Sequence, residues 1–192
     1  MRDHRTAQPD PPIPEESRLV RQAISGDSEA FAQLYDAYVD RVHRYIYFRV
    51  SDEATTDDLT SQVFLKAWEN LDRYKTGSSP FIAWLYTIAR NLVIDYYRTQ
   101  KETVPLEDVV VHAPEDQLPD RQAELRFELQ ALRDGLRSLT EDQQQILILK
   151  FIDGLPNENI AKMMNKREGA IRALQMRALQ SLARHMEKKE MI

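Results

Sequence analysis

The chain has 192 residues, contains no cysteine and carries a formal net charge of −5. Without cysteine, disulfides, thiol catalysis, thiol-based redox sensing and cysteine-ligated zinc are excluded. No apolar run reaches membrane-spanning length, and the N-terminus is charged and proline-rich, unlike a secretory signal. We therefore expect a cytoplasmic protein that does not insert into membranes and has room for two small domains.

The charges are unevenly distributed along the chain. Residues 73–101 carry five bases against one acid, and residues 162–189 carry eight bases against two acids. Between them, residues 102–120 hold six acids and no lysine or arginine. Because local charge governs phosphate contacts more than the total does, the acidic balance does not exclude nucleic acid as a partner.

The chain begins with a predicted disordered tail and two helices. Residues 1–16 contain four prolines and few apolar side chains, which indicates disorder. The first helix is predicted from about Glu16 to Ile24, and Asp27 or Ser28 can cap the second. The second helix carries an apolar and aromatic stripe that we interpret as core: Phe31, Leu34, Tyr35, Tyr38, Val42, Tyr45 and Ile46.

Two further helices complete a predicted first domain over residues 17–101. Thr55 and Asp58 have capping-box spacing, which places a helix start near Thr56. Pro80 suits the first position of a fourth helix capped by Ser79. The positions predicted to face inward are Leu59, Val63, Ala67 and Leu71 in the third helix, and Phe81, Leu85, Ile88, Leu92 and Tyr96 in the fourth. The opposite face of the fourth helix suits a nucleic-acid surface, although a solvated face explains it about as well.

Residues 102–120 are predicted to be an acidic, flexible linker because periodicity disappears and three prolines punctuate the segment. A second domain is expected over residues 121–192. Its first helix carries a leucine stripe at positions 125, 129, 132, 136 and 139. Thr140 and Gln143 form another capping box, which opens the helix that contains Ile146, Leu147, Leu149 and Phe151.

Residues 155–186 read as two short helices joined by a tight turn. Ile160, Ala161 and Met164 form the inner face of the first, and Asn165 tolerates the left-handed conformation that a sharp turn needs. The second has an apolar stripe of Ile171, Leu174, Ala178 and Leu182. This pattern is typical of a DNA-binding helix-turn-helix, although an ordinary helical hairpin with a solvated basic face is the alternative. The predicted fold class is all-α, with two small helical domains.

The whole pattern resembles the small, two-domain extracytoplasmic-function (ECF) group of bacterial sigma-70 factors. The matching text in the first half is DSEAFAQLYDAYVDRVHRYI, DDLTSQVFLKAWENLDRY and FIAWLYTIARNLVIDYYR. In the second half it is LRSLTEDQQQILILKFIDGL, followed by the helix-turn-helix. The resemblance implies a specificity subunit that binds core RNA polymerase, recognises −10 and −35 promoter DNA and helps to open the duplex. It also implies an anti-sigma partner, and neither cofactor nor metal.

The resemblance assigns functional residues by position. Those implied to bind polymerase are Asp58, Gln62, Lys66 and Trp68. Those implied to read the −10 element are Thr76, Gly77, Ser78, Ser79, Thr87, Arg90, Asn91 and Arg98. Those implied to read the −35 element are Arg167, Arg172, Ala173, Met176 and Arg177. Asn91 is the position most expected to touch a base edge, because its amide donates and accepts at once.

The sequence departs from the commoner family pattern at several of these surfaces. Gln62 replaces a glutamate common in the polymerase-docking motif. Ala173 replaces a frequent serine, and Leu174 and Leu179 replace frequent arginines, so fewer polar groups read the −35 element. The acidic linker resembles the segment that threads into the polymerase cleft, where we expect its carboxylates to mimic nucleic acid.

Two other classes of function compete with this interpretation. A stand-alone helix-turn-helix regulator explains residues 140–186 but leaves residues 27–100 without a role. An enzyme is disfavoured, because the five scattered glycines form no phosphate-binding loop and the four histidines show no metal-ligand spacing.

Overall fold

The structure is a computed structural model, and it describes residues 15–76, 79–103 and 120–190. These segments hold eight α-helices and no strand, which confirms the all-α prediction. The helices are α1 Glu16–Ile24, α2 Ser28–Tyr47, α3 Glu53–Glu69, α4 Phe81–Thr103, α5 Asp120–Arg137, α6 Glu141–Leu147, α7 Asn157–Met163 and α8 Glu168–Glu190. Most of the predicted tail and residues 104–119 of the predicted linker lie outside the described residues.

Helices α1 to α4 pack around one apolar core that follows the predicted stripes. Asp27 is the cap of α2, since its Oδ1 accepts hydrogen bonds from the amides of Glu29 at 3.0 Å and Ala30 at 3.1 Å. The largest side chains with no exposure are Leu34, Ile46, Phe81, Leu85 and Tyr86. Tyr35 was predicted to be core, but it is 40% exposed and meets Phe64 edge-on, with ring centroids 4.7 Å apart.

Helix α3 begins one turn earlier than the capping box of Thr55 and Asp58 predicted. Its first residue is Glu53 and its cap is Asp52, whose Oδ1 accepts a hydrogen bond from the Thr55 amide at 2.7 Å. Aspartate is among the strongest capping residues, and it stands three residues before the threonine. The prediction of a start near Thr56 was therefore wrong.

Replacing Asp52 with alanine is expected to lower the free energy of unfolding by about 1 kcal/mol, because the first turn of α3 loses its side-chain acceptor. Urea unfolding followed by circular dichroism measures this change. Asp52→Asn is the matched control, since an amide oxygen can still accept from the Thr55 amide. Equal destabilisation by both variants would show that the cap is not the cause.

Helix α4 begins at Phe81, one residue after the predicted start at Pro80. The Phe81 amide donates to Glu16 Oε1 at 3.1 Å, rather than to a cap on Ser79. The other Glu16 oxygen accepts from the Tyr38 hydroxyl, and burial together with this bond raises the pKa of Tyr38. One carboxylate of α1 thus fixes the start of α4 against α2.

Helices α5 to α8 form the second helical group. The capping box of Thr140 and Gln143 is present at the start of α6, as predicted. After Leu147 the helix continues as a π-helical turn, Ile148–Ile152, which leaves Phe151 54% exposed although Ile146, Leu147 and Leu149 are buried. In the leucine stripe of α5, Leu136 is buried but Leu129 is 36% exposed. The Leu125 side chain lies outside the described residues.

The turn between α7 and α8 has the predicted helix-turn-helix geometry. Asn165 has a φ of +50°, the left-handed conformation that the sequence predicted. On α8, Ile171, Leu174 and Ala178 are buried in the core, and Leu182 packs against it. Helix α8 is longer than predicted, because it runs to Glu190.

Candidate nucleic-acid and protein interfaces

The outward face of α8 carries the residues predicted to read the −35 element. Arg172, Ala173, Met176 and Arg177 are all exposed, and Met176 is 64% exposed. These four positions alternate along α8 with the buried residues Ile171, Leu174 and Ala178, so the helical repeat turns their side chains to the opposite side of the helix. Arg172 Nη2 lies 3.3 Å from Glu168 in the first turn of the same helix. The face therefore presents two guanidinium groups as exposed hydrogen-bond donors.

The turn before α8 is held by contacts from neighbouring helices. Gln175 Nε2 donates to Asn157 Oδ1 at 2.9 Å, which ties α8 to the start of α7. Lys166 Nζ lies 3.1 Å from Asp142 on α6. Within α7, Lys162 Nζ lies 2.7 Å from Glu158, and this hydrogen bond lowers the pKa of that carboxyl. The remaining predicted −35 residue, Arg167, is exposed beside this turn.

A groove between α3 and α4, the α3–α4 groove, holds Asn91. It has a volume of about 300 Å³ and combines aromatic, aliphatic and cationic side chains. Its lining is Lys66, Asn70, Arg73, Trp84, Ile88, Asn91, Leu92 and Asp95. The sequence prediction had placed Lys66 with the polymerase-binding residues and had not singled out Asn70 or Arg73. Asn70 and Arg73 follow the end of α3, in its C-cap and in the 3-10 turn Leu71–Arg73, so helical spacing in the sequence does not group them with Lys66.

An aromatic cluster anchors the loop that precedes α4 at the edge of this groove. The Tyr74 ring lies 5.3 Å from Phe81 and 5.4 Å from Trp84, measured between centroids. The Tyr74 hydroxyl donates to the Ser79 carbonyl at 2.5 Å. Burial, with a smaller contribution from Glu16, raises the pKa of Tyr74 to about 12, so the phenol stays a hydrogen-bond donor at neutral pH. Thr76 is exposed, and Gly77 and Ser78 lie outside the described residues.

The other predicted −10 residues do not share one face of α4. Thr87 and Asn91 are exposed, and Arg98 lies 3.1 Å from Asp95. Arg90 instead points toward the second helical group, where its Nη2 lies 2.6 Å from Glu141 Oε1. The structure therefore brings Asn91 together with Lys66 and Trp84, and separates Arg90 from them.

The predicted polymerase-binding helix α3 presents an exposed apolar patch, the α2–α3 patch, beside its polar face. Leu65 is 57% exposed and Trp68 is 41% exposed. The Trp68 ring meets Phe31 of α2 edge-on, with centroids 4.8 Å apart. Asp58 and Gln62 are exposed on the same helix. Partly exposed aromatic and aliphatic side chains bordered by polar groups are typical of a protein-docking surface.

Neither a metal site nor a membrane-spanning helix is found in the described segments. No group of three histidine, aspartate or glutamate side chains there is placed to hold a metal ion. None of the described helices is long and apolar enough to cross a bilayer.

Comparison with known proteins decides the family. The model of sigma-70 region 2 matches residues 34–103, and that of sigma-70 region 4 matches residues 129–182. SigX of Bacillus subtilis (strain 168), an ECF RNA polymerase sigma factor, is 30% identical over 165 residues, which cover 83% of this chain and 84% of SigX. The chain belongs to the ECF sigma factors.

Further relatives agree with this assignment. The ECF sigma factor BldN of Streptomyces coelicolor is 39% identical over 173 residues, and the match covers 86% of this sigma factor but 64% of BldN. The structure of CnrH in complex with the cytosolic domain of CnrY has a TM-score of 0.70 at 23% identity, covering 90% of this chain and 97% of CnrH. That likeness shows a shared fold.

Each of the two family regions of the sigma factor lies within one of the two helical groups. Region 2 extends from within α2 to the end of α4, so it contains the α2–α3 patch and the α3–α4 groove. Region 4 extends from within α5 into α8, so it contains the helix-turn-helix and the exposed face of α8.

Proposed function

We propose that this sigma factor binds core RNA polymerase, reads −10 and −35 promoter elements and promotes opening of the duplex. The observation that carries the proposal is the α3–α4 groove, where two amides, an indole, two cations and one carboxylate line a space of about 300 Å³. The exposed α8 face and the α2–α3 patch supply the two further surfaces that such a subunit requires.

The chemistry of the α3–α4 groove suits an unstacked base of the −10 element. Stacking of a base on an aromatic ring such as Trp84 contributes about 1–3 kcal/mol, which offsets the cost of removing the base from the duplex. The Asn91 amide can donate to and accept from a base edge. Lys66 and Arg73 place positive charge beside the flanking phosphates.

The face of α8 suits the major groove of the −35 element. Arg177 and Arg172 can each pair with the O6 and N7 atoms of guanine, while Ala173 and Met176 offer apolar contact to a thymine methyl group. Lys166 contacts Asp142 and Gln175 contacts Asn157, and these two contacts hold the turn and α8 in a fixed position.

Replacing Arg177 with alanine is expected to weaken −35-dependent promoter binding by the polymerase holoenzyme about 10-fold, because one bidentate contact is worth about 1–3 kcal/mol. Competition binding with promoter fragments that keep or lack the −35 element measures the effect. Arg177→Lys keeps the charge but loses the guanidinium fork, so we expect it to recover the salt dependence of binding but not the base preference. Recovery of both would assign Arg177 to a phosphate.

The CnrH comparison also suggests a protein partner. CnrH was solved with the cytosolic domain of CnrY. We propose that an anti-sigma factor holds this sigma factor inactive by covering surfaces that core polymerase needs, including Leu65 and Trp68.

The proposed function is tested by run-off transcription with core polymerase on fragmented genomic DNA. We expect start sites that need both the core enzyme and this chain, and that share two sequence elements upstream. Absence of any chain-dependent start site would contradict the proposal. The start sites would also define both promoter elements in one experiment.

A further inference from the structure

Glu16 of α1 binds both α2 and the start of α4. Its Oε1 accepts from the Phe81 amide at 3.1 Å, and its Oε2 accepts from the Tyr38 hydroxyl. The first amides of an α-helix have no partner within the helix and commonly take one from a side chain just before it. Phe81 instead takes its partner from a residue 65 positions earlier in the chain. The position of α1 therefore decides where the backbone of α4 begins.

Aromatic rings enclose this carboxylate. Tyr38, Tyr74 and Phe81 are all buried, and the Phe81 ring centroid lies 5.8 Å from that of Tyr38 and 5.3 Å from that of Tyr74. Burial raises the pKa of both tyrosines, and Glu16 raises it further, through its hydrogen bond to Tyr38 and through its charge at Tyr74. Both hydroxyls therefore remain donors at neutral pH. One donates to Glu16, and the other donates to the Ser79 carbonyl just before α4.

The first turn of α4 leads directly into the α3–α4 groove. Trp84 follows Phe81 by one turn of the helix, and the two ring centroids lie 5.6 Å apart. Ile88 and Asn91 continue along α4 at helical spacing, and both line the groove together with Trp84. Because these side chains share one helical backbone, a displacement of Phe81 carries the Trp84 indole with it.

We propose that Glu16 is a positioning residue for promoter opening, because it holds the first turn of α4 and so places the Trp84 indole at the wall of the α3–α4 groove. The inference rests on the proposed function, in which an unstacked base lies against that indole. Glu16 does not itself line the groove, so it acts through Phe81 and Trp84. Stacking requires the aromatic face at a defined height and tilt, and a small displacement of a positioning group is costly.

A carboxylate matches the two donors at this position. The Phe81 ring is held by burial and needs no charge, whereas its amide needs an acceptor. Glutamate supplies one oxygen for the amide and one for the Tyr38 hydroxyl. Alanine leaves both donors without this acceptor. Glutamine keeps an oxygen for the amide, and its NH₂ group can donate to the Tyr38 hydroxyl oxygen, so it can preserve both contacts.

Open-complex formation by the polymerase holoenzyme tests the role of Glu16. Glu16→Ala should slow opening about 10-fold, because the indole is no longer placed for stacking. The affinity for core polymerase, and the affinity of the holoenzyme for the promoter before opening, should stay within about twofold, since neither binding step uses the indole. Glu16→Gln should recover most of the opening rate. Permanganate reactivity at saturating polymerase gives the rate, and fluorescence anisotropy gives the affinities.

Asp52→Ala is the matched control for stability. It also removes a carboxylate that accepts from the first turn of a helix, but that helix is α3. Lys66, which lines the groove, lies about 20 Å further along α3. Asp52→Ala should therefore open promoters at the rate of the starting chain. If it slows opening as much as Glu16→Ala does, lost stability explains both variants and the proposal is overturned.

A double-variant cycle tests whether Glu16 acts through Trp84. Trp84→Ala alone should slow opening about 10-fold or more, because it removes the stacking surface. Adding Glu16→Ala should then slow opening by less than about twofold further, since the indole that Glu16 places is already absent. Two losses that multiply would show that Glu16 acts by another route, and they would overturn the proposal.

Trp84 fluorescence reports the placement of the indole without polymerase or DNA. The chain has two tryptophans, so Trp68→Phe leaves Trp84 as the only one. In that background Glu16→Ala should shift the emission maximum and increase quenching by acrylamide, whereas Asp52→Ala should change neither. Unchanged Trp84 emission and quenching in Glu16→Ala would overturn the positioning role.

Failure of this inference and failure of the proposed function give different results. If the starting chain opens promoters and Glu16→Ala opens them equally fast, only the role of Glu16 is overturned. If the starting chain opens no promoter with core polymerase, the proposed function fails and the role of Glu16 in opening fails with it.

Discussion

Replacing Leu65 and Trp68 together with alanine is expected to weaken binding of core RNA polymerase by about 100-fold. Tryptophan at the centre of an interface commonly contributes 2 kcal/mol or more, and the adjacent leucine adds apolar area. Both side chains are exposed before any partner is bound, at 57% for Leu65 and 41% for Trp68. Neither side chain belongs to the buried core, although the Trp68 ring also packs edge-on against Phe31. Fluorescence anisotropy of the labelled chain titrated with core polymerase measures the affinity.

The matched control removes a similar pair of side chains from the second helical group. Phe127 is 75% exposed and Leu129 is 36% exposed on α5. Phe127→Ala combined with Leu129→Ala should leave core affinity within about threefold of the starting chain. If both double variants lose affinity equally, the α2–α3 patch is not the principal docking surface.

Asn91→Ala is expected to reduce open-complex formation about 10- to 100-fold while leaving core affinity unchanged. The reason is that a base-edge contact contributes about 1–3 kcal/mol, and Asn91 is an exposed amide in the α3–α4 groove. The side chain is not part of the core, so folding should not change. Permanganate reactivity of unpaired thymines at the −10 element reports opening, with polymerase at saturation.

The control for Asn91 is Gln33→Ala, which removes an exposed amide from α2 on the same domain. We expect it to open promoters normally. Asn91→Asp keeps the size and the acceptor but loses the donor and adds a negative charge near phosphate, so it should be at least as defective as alanine. Normal opening by both Asn91 variants would remove this residue from the proposed −10 contacts.

Local signals in the sequence predicted much of the fold. The ends of α1 at Glu16 and Ile24 follow from the spacing of its apolar residues and from the glycine that comes soon after the helix. The left-handed backbone conformation of Asn165 follows from its residue type. The buried stripe of α8 follows from helical spacing. These features depend on residues within a few positions of each other, which is why sequence alone suffices for them.

The start of α3 shows how neighbouring signals compete. Asp52 and Thr55 are both good caps, and the first apolar residue of the stripe, Leu59, is too far along the helix to choose between them. The π-helical turn at Ile148–Ile152 interrupts the α-helical spacing on which the sequence prediction depends. The exposure of Phe151 could therefore not be predicted from its type.

Helical spacing predicted the exposure of the candidate site residues, but not their contacts with distant parts of the chain. Asn91 and the exposed face of α8 lie where the pattern placed them. Arg90 does not face the same way as Asn91, because its partners Glu141 and Gln145 belong to the other helical group, and Gln145 is 55 residues away. Helical spacing carries no information about contacts of that range.

The most direct test of the sigma assignment is a gel shift with a promoter fragment that the run-off experiment identifies. The fragment is mixed with the chain alone, with core polymerase alone and with both, in the presence of excess competitor DNA. The account predicts a specific, competitor-resistant complex only when both proteins are present. Specific binding by the chain alone, unchanged when core polymerase is added, would contradict it and identify a stand-alone helix-turn-helix regulator.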